Sequence, residues 1–281
     1  MLSLLEPASY ARAASLFEGM EYHLAVMTVL AGKTPGKIYA DDPASPQTAV
    51  LIPANRHRIY VAGSSANTEV NEAIRALFAQ ELATQAGSSE VSNVYECIVY
   101  YPSDDWKHAL GLILKGQETF TGWRQFHRLG EQRLEWRKQL PESLVIRQID
   151  GALLADLTLQ NRERMIEEIH SESPSIEHFL HHNFGFCAQD GRVLVGWCMA
   201  EYHYQDRYEL GVETVEVYQR RGIATLTASA MIEHAFAEGA IEIGWHCWAN
   251  NTASVATARK LGFEKSTDYP VCYCLYRRGN A

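Results

Sequence analysis

Leu16, Met20, Leu24, Met27 and Leu30, with His23 among them, fall on one stripe at helical spacing, and the stripe stops at Gly32. Strand-like apolar runs follow at 36–40, 49–53 and 58–62. Residues 68–85 return to helical periodicity through Val70, Ile74, Leu77, Phe78 and Leu82, ending before Gly87. A β-rich run at 94–101, a short helix at 106–115 and an alternating stretch at 119–127 complete this half.

Residues 130–142 are charged, contain Pro141 and separate two apolar blocks. A boundary is therefore expected near residue 141, dividing an N-terminal α/β domain, 1–141, from a C-terminal domain, 142–281. The second block opens with a strand at 144–150 and a helical region at 154–182, interrupted near Pro174. Strands at 184–189, 193–202 and 208–217 lead to a helix at 222–238, a strand at 241–248, a helix at 252–261 and a strand-like tail at 263–276. The fold class this predicts is mixed α/β (α+β), with strands both adjacent and joined by helices. The halves share a strand–strand–strand–helix–strand–helix order, which leaves a degenerate duplication open.

Composition narrows the function classes. Of 281 residues 47% are hydrophobic, enough for sizeable cores. No segment approaches the roughly 20 apolar residues of a membrane span, and the first ten residues do not read as a secretory signal. A cytoplasmic protein with no membrane partner is expected. The formal net charge of −9 argues against nucleic acid, which is bound by concentrated Lys and Arg. It would suit a cationic amine, although solubility explains it equally well. Cys97, Cys187, Cys198, Cys247, Cys272 and Cys274 form no C-x-x-C pair and mostly sit in apolar runs, so buried, reduced thiols are expected. His178, His181 and His182 cluster on a helix without matching Cys, Asp or Glu ligands, and no metal site is expected.

The chemistry concentrates at 211–237. A Val- and Thr-rich strand runs straight into Gln219-Arg220-Arg221-Gly222-Ile223-Ala224, where a helix opens. The first N–H groups of a helix have no intrahelical partner, and with the helix dipole they make a ready site for a pyrophosphate. Gly222 and Ala224 let a ligand approach the backbone closely, and Arg220 and Arg221 can add charge-assisted contacts. A plain strand–turn–helix with two solvated arginines would look the same. Neither G-x-x-x-x-G-K-[ST] nor G-x-G-x-x-G is present, and no G-x-S-x-G supports a hydrolase.

Gln219 to Ala224 resembles the Q/R-x-x-G-x-G/A signature of the GNAT superfamily of acetyl-CoA-dependent N-acetyltransferases. Asn251-Thr252-Ala253-Ser254-Val255-Ala256-Thr257-Ala258-Arg259-Lys260-Leu261-Gly262-Phe263 resembles the superfamily's second segment, an Asn opening a helix that ends in Leu-Gly-Phe. The likeness covers about 144–277, and the wording of 248–263 with the long N-terminal extension is similar to the branch of zwittermicin-type resistance acetyltransferases. The resemblance implies a GNAT-like acyl-CoA N-acyltransferase domain preceded by a smaller α/β domain, itself open to reading as a degenerate GNAT-like half. It implies that Gln219, Arg220, Arg221, Gly222, Ile223, Ala224 and Thr225 cradle the coenzyme A pyrophosphate. It further implies that the strand at Glu213, Thr214 and Val215 pairs with the pantetheine arm, where a backbone N–H would stabilise the oxyanion. Asn251 would contact the cofactor where two strands splay apart, or act as a plain helix N-cap.

Direct attack of an amine on the thioester needs a base and an acid for the thiolate. The family's common helical tyrosine acid is Ala258 in this chain, so Tyr269 and Tyr273 in the tail become acid candidates. His246 and Glu213 are the candidate bases, against the plainer readings of a core histidine and an exposed strand carboxylate. The expected function is transfer of an acetyl group from acetyl-CoA to the amine of a small molecule, such as an antibiotic or metabolite. A non-catalytic acyl-CoA-binding or sensor module, favoured by Ala258, and a protein N-acetyltransferase remain open. The N-terminal domain lacks a counterpart of 219–224; it is expected to bind no coenzyme A and to wall off substrate or pair protomers in a homodimer.

Overall fold

The computed structural model describes residues 2–54, 57–86, 94–131 and 135–277. They form two compact units: unit 1 is Met1–Trp123 with Pro270–Ala281, and unit 2 is Arg124–Tyr269. In chain order unit 1 holds β1 (Ser3–Leu4), a 3-10 helix (Pro7–Phe17), α1 (Leu24–Leu30), β2 (Gly36–Ala40), β3 (Thr48–Pro53) and β4 (Arg58–Gly63). It continues with α2 (Thr68–Ala86), β5 (Val94–Tyr100), α3 (Asp104–Ile113) and β6 (Glu118–Leu129), which runs on into unit 2. Unit 2 then holds a 3-10 turn (Trp136–Gln139), β7 (Leu144–Gln148), α4 (Gly151–Ala155), α5 (Arg162–Glu172), α6 (Ile176–His182), β8 (Gly185–Asp190) and β9 (Val193–Tyr204). It ends with β10 (Arg207–Thr214), a 3-10 turn (Glu216–Tyr218), α7 (Ile223–Ala237), β11 (Glu242–Trp248), α8 (Thr252–Leu261) and β12 (Glu264–Arg277), which returns to unit 1.

The division differs from a single break near residue 141, which lies inside unit 2. The charged run there is fitted to the unit: Trp136 is 6% exposed and its indole N–H donates to Glu233 Oε2 on α7 at 2.8 Å. The N-terminal stripe also differs from one helix. The chain leaves its 3-10 helix through Gly19, at φ 84°, before α1 begins.

Within unit 1 the strand order is β1-β2-β3-β4-β5-β12, and within unit 2 it is β6-β11-β10-β9-β8-β7. Among the described residues each unit pairs two of its strands in parallel, β4·β5 and β10·β11, the helix between them being α2 or α7. The next strand of each half is exchanged. Val271–Arg277 of β12 lie antiparallel to β5 in unit 1, from Val271↔Tyr100 to Arg277↔Val94. Arg124–Leu129 of β6 lie antiparallel to β11 in unit 2, from Trp248↔Arg124 to Ile243↔Leu129.

Period-two alternation sorts the residues of unit 2 onto two faces. Ile243, Trp245 and Cys247 of β11 pack with Met231, Ile232 and Ala235 of α7. Trp197 and Met199 of β9 point the other way and pack with Met165, Ile169 and Phe179 of α5 and α6. Covered on both faces, β9 is an almost continuous apolar run, and α7 is buried nearly all round. Val50, Val61, Ile74, Phe78, Val99 and Trp106 anchor the core of unit 1, which Cys272, Cys274 and Tyr276 of the exchanged strand join. All six cysteines are free and buried.

Candidate functional site

The parallel ladder between β10 and β11 runs from Arg207↔Glu242 to Leu210↔Trp245 and ends there. At the same level β10 shifts register against β9: Glu209 faces Tyr202 and Leu210 faces Ala200, so Glu201 is the extra residue of a bulge. Beyond this point Gly211–Thr214 stay paired with β9, and Val215 N–H still donates to the Val195 carbonyl at 3.0 Å. The far edge of β10 is thus released from β11 where the resemblance places the pantetheine arm. The Thr214 hydroxyl there is buried and has no hydrogen-bond partner among the described residues.

The chain then turns through Glu216–Tyr218 to an exposed Gln219-Arg220-Arg221-Gly222, with Arg220 at φ 63° and Gly222 at φ 81°. Left-handed backbone costs little at glycine and more at arginine, so a strained Arg220 marks a turn held for its shape. Gly222 is the N-cap of α7 and no side chain caps that end. The first intrahelical bond is Leu226 N–H to the Gly222 carbonyl at 3.1 Å, so the N–H groups of Ile223, Ala224 and Thr225 precede the ladder. Position is set by β9: a Cβ on Gly196 would lie 2.7 Å from Ile223 Cγ2, so glycine lets the first turn of α7 sit directly on the strand. Arg221 lies over the Tyr218 ring at 5.1 Å, and Gln219 Nε2 reaches the Thr214 carbonyl at 3.4 Å.

Asn251 caps α8, its Oδ1 accepting from Ser254 N–H at 3.0 Å. The Leu-Gly-Phe ending has a matching physical role. Gly262 at φ 96° donates to the Arg259 carbonyl and Phe263 N–H to the Ala258 carbonyl, both at 3.0 Å, while Phe263 and Ala258 share one core. Ala258 is fully buried there.

His246 and Tyr269, named separately in the sequence, come together: His246 Nδ1 lies 2.7 Å from the Tyr269 hydroxyl. The His246 side chain is 6% exposed and stacks on Phe126, its partner in the β6·β11 ladder. Its Nε2 lies 3.7 Å from Glu209 Oε2, a carboxylate the sequence analysis did not single out. The available signal was the phase of β10, in which Tyr208, Leu210 and Val212 face the α7 core and residues 209, 211 and 213 face away. Glu213 is held elsewhere, in an ion pair with Arg164 of α5. Tyr273, the other tail tyrosine, stacks on Phe120 in unit 1, and burial, then Glu96, push its phenol up to about 12. A recess beside Gly211 is lined by Glu168, Glu172, Ser173 and Glu201. Trp197, Tyr202 and Tyr208 are buried in the packing.

Among the described residues no group of three or more His, Cys, Asp or Glu is placed to hold a metal ion, and no helix is long and apolar enough to cross a membrane.

The sequence profile described as GNAT acetyltransferase matches residues 14–272. An uncharacterized N-acetyltransferase of Bacillus subtilis (strain 168), YdfB, is 26% identical over 275 residues, covering 97% of this chain and 98% of that protein. The crystal structure of a GCN5-related N-acetyltransferase-like protein from Streptococcus suis 89/1591 is similar at TM-score 0.70 and 22% identity, over 96% of this chain and 99% of that one. A tandem GNAT protein from the clavulanic acid biosynthesis pathway is similar at TM-score 0.58 and 10% identity, over 99% of both chains. The two structures bear on the fold alone.

Proposed function

The chain belongs to the GNAT acetyltransferase family, and from that premise we propose that it moves an acetyl group from acetyl-CoA to the amine of a small molecule, using one cofactor site in unit 2. The observation that carries this reading is the uncapped N-terminus of α7, set at the end of a strand released from its parallel neighbour. Gln219 to Thr225 hold the pyrophosphate, the backbone of Glu213, Thr214 and Val215 takes the pantetheine arm, and Asn251 offers its amide nitrogen while its oxygen caps α8. His246 and Tyr269 handle the proton, which removes the difficulty posed by Ala258; Glu213 is the alternative base.

Carboxylates around the recess beside Gly211 favour an ammonium group before it loses its proton, which supports a cationic acceptor. Likeness of residues 248–263 to the zwittermicin-type resistance branch supports a small acceptor over a protein one. The buried free thiols accord with a cytoplasmic enzyme. The N-terminal half binds no coenzyme A and pairs protomers. A sensor module that only binds acyl-CoA is favoured by Ala258 alone.

The test is a thermal shift with acetyl-CoA on wild type and Gly222→Glu, followed by thiol release over a panel of small amines and peptides. At 100 times its dissociation constant a ligand stabilises a one-site protein by about 2.7 kcal/mol. The wild type is expected to gain that shift and Gly222→Glu to lose it; a Cβ at Gly222 meets nothing within 4 Å, and the backbone strain affects both ligand states alike. No shift in the folded wild type would refute the site. A shift without thiol release on any acceptor would favour the sensor module.

A further inference from the structure

Glu209 is 2% exposed in the middle of a sheet, and a carboxylate so far from water must be held by partners. It lies opposite Gly244 in the last part of the parallel ladder, one step before the strands part. A Cβ at Gly244 would come within 2.9 Å of the Phe126 ring, so the bare glycine makes room for Phe126 to stack on His246 at 4.7 Å. The imidazole is thereby fixed in orientation, one nitrogen toward Tyr269 and the other toward Glu209.

We infer that Glu209 is a positioning residue in a one-proton relay, Glu209–His246–Tyr269, that takes the amine proton during attack and returns it to the departing thiolate. The relay presupposes the acetyl transfer proposed above. Glu209 favours the tautomer with its proton on Nε2, which leaves Nδ1 to accept from the Tyr269 hydroxyl. As the amine nitrogen bonds to the thioester carbon, its proton passes to the Tyr269 oxygen and the phenol proton passes to Nδ1. The imidazolium so formed lies beside the Glu209 carboxylate, which stabilises it. When the C–S bond breaks, its electron pair stays on sulfur. Nδ1 then returns its proton to Tyr269, and the phenol gives its own to the sulfur. The amine loses one proton, coenzyme A gains one, and the three residues end as they began. One relay thus serves as base and acid, and no helical tyrosine at position 258 is needed.

Among the described residues Glu209 on β10 and Tyr269 on β12 meet His246, and the nearby cation on β6 is Arg124, two residues from Phe126 and 5.4 Å over the Trp248 ring. Arg124 opposes a positive charge on the ring, so the carboxylate is the group that admits one.

The experiment compares the pH dependence of kcat in wild type and Glu209→Gln, with the His246 imidazole titration followed by NMR in both. Loss of the carboxylate is expected to move the acidic limb and the imidazole midpoint to lower pH. It should lower kcat on the order of 10-fold, short of the roughly 10²–10⁴-fold that proton transfer itself contributes, with KM for acetyl-CoA unchanged. A merely structural Glu209 would lower the melting temperature and leave limb and midpoint in place, and that result overturns the relay. If Glu209→Gln does not fold, Glu209→Asp keeps the charge one methylene farther away and should shift both readouts less, in the same direction; no shift overturns the relay equally. A folded wild type that releases no thiol on any amine overturns the transfer reading itself, whereas turnover with an unmoved limb overturns only the relay.

Discussion

In unit 1, β4 passes to α2 through residues whose polar groups are consumed locally. Asn67 Oδ1 accepts from the N–H groups of Glu69 and Val70 at 3.0 and 3.3 Å, closing the helix end. Ser64 N–H bonds to the Gln47 carbonyl at 2.8 Å and Asn71 Nδ2 to the Ser65 carbonyl at 2.8 Å. In unit 2 the equivalent passage from β10 to α7 has an exposed loop, two left-handed residues and no side-chain cap. Both helices follow the first strand of a parallel pair. The difference teaches that the same scaffold can close a helix end or leave it open, and only an open end offers its N–H groups to an anion. On this reading the chain binds one acetyl-CoA, and a second equivalent in calorimetry would break the comparison.

The largest expected effect comes from cutting the exchange of strands. Ending the chain after Tyr269 removes Cys272, Cys274 and Tyr276 from the core of unit 1, together with the partner of β5. Burial of a large apolar side chain contributes about 1.5–3 kcal/mol, and whole domains are stable by only about 5–15 kcal/mol. Unit 1 of this variant is therefore expected to be unfolded, with residues 1–123 digested first in limited proteolysis. Wild-type protection of that segment would show that unit 1 does not depend on its borrowed strand.

A smaller effect separates the two helix ends directly. Asn67→Ala should cost about 1 kcal/mol of stability, as loss of a side-chain cap does, and leave the acetyl-CoA dissociation constant unchanged. Asn251→Ala removes a similar cap from α8 and should cost a similar amount, but should also weaken acetyl-CoA binding. Denaturant melts with and without the ligand check both. Equal ligand-induced stabilisation in the two variants would reduce Asn251 to a cap.

These expectations draw on a sequence legible in its elements and less so in its pairings. Residues 252–261 and 36–40 were bounded as observed because caps and period-two runs are local signals. The strand–turn–helix at Gln219–Gly222 was legible for the same reason, a strand running into a glycine turn and then a helix. The exchange of β6 and β12 was not, because which strand lies beside β5 or β11 is decided by contacts far apart in sequence. A charged run with Pro141 predicts a boundary near residue 141, whereas Trp136 beside it is buried against Glu233. Glu209 stayed hidden because a lone carboxylate in an apolar strand reads as an exposed position until its face is known to be covered. Ala258 was legible as a departure from the family, but the meeting of His246 with Tyr269 needed the fold.

The smallest effect distinguishes the exchanged strands by pH. In the segment given to unit 2, His127 is fully buried opposite Trp245. Burial first, then the charges of Arg259 and Lys265 against the opposing Asp268, hold it below its ordinary 6.5. The segment given to unit 1 carries Cys272, which burial and the neighbouring Cys274 push up to about 12. The signs are opposite. A lowered histidine means that the unfolded chain binds the proton first, so stability present above pH 6.5 is lost as pH falls from there toward the folded value. A raised thiol keeps its contribution below the ordinary 9.0 and loses it as pH climbs toward 12. Between pH 7.5 and 5.5 only the His127 contribution of these two changes. His127→Phe keeps a buried ring without the charge, so its melting temperature should fall less than that of wild type over the same interval. Parallel declines in the two proteins would mean that the borrowed strand of unit 2 is no more acid-sensitive than that of unit 1.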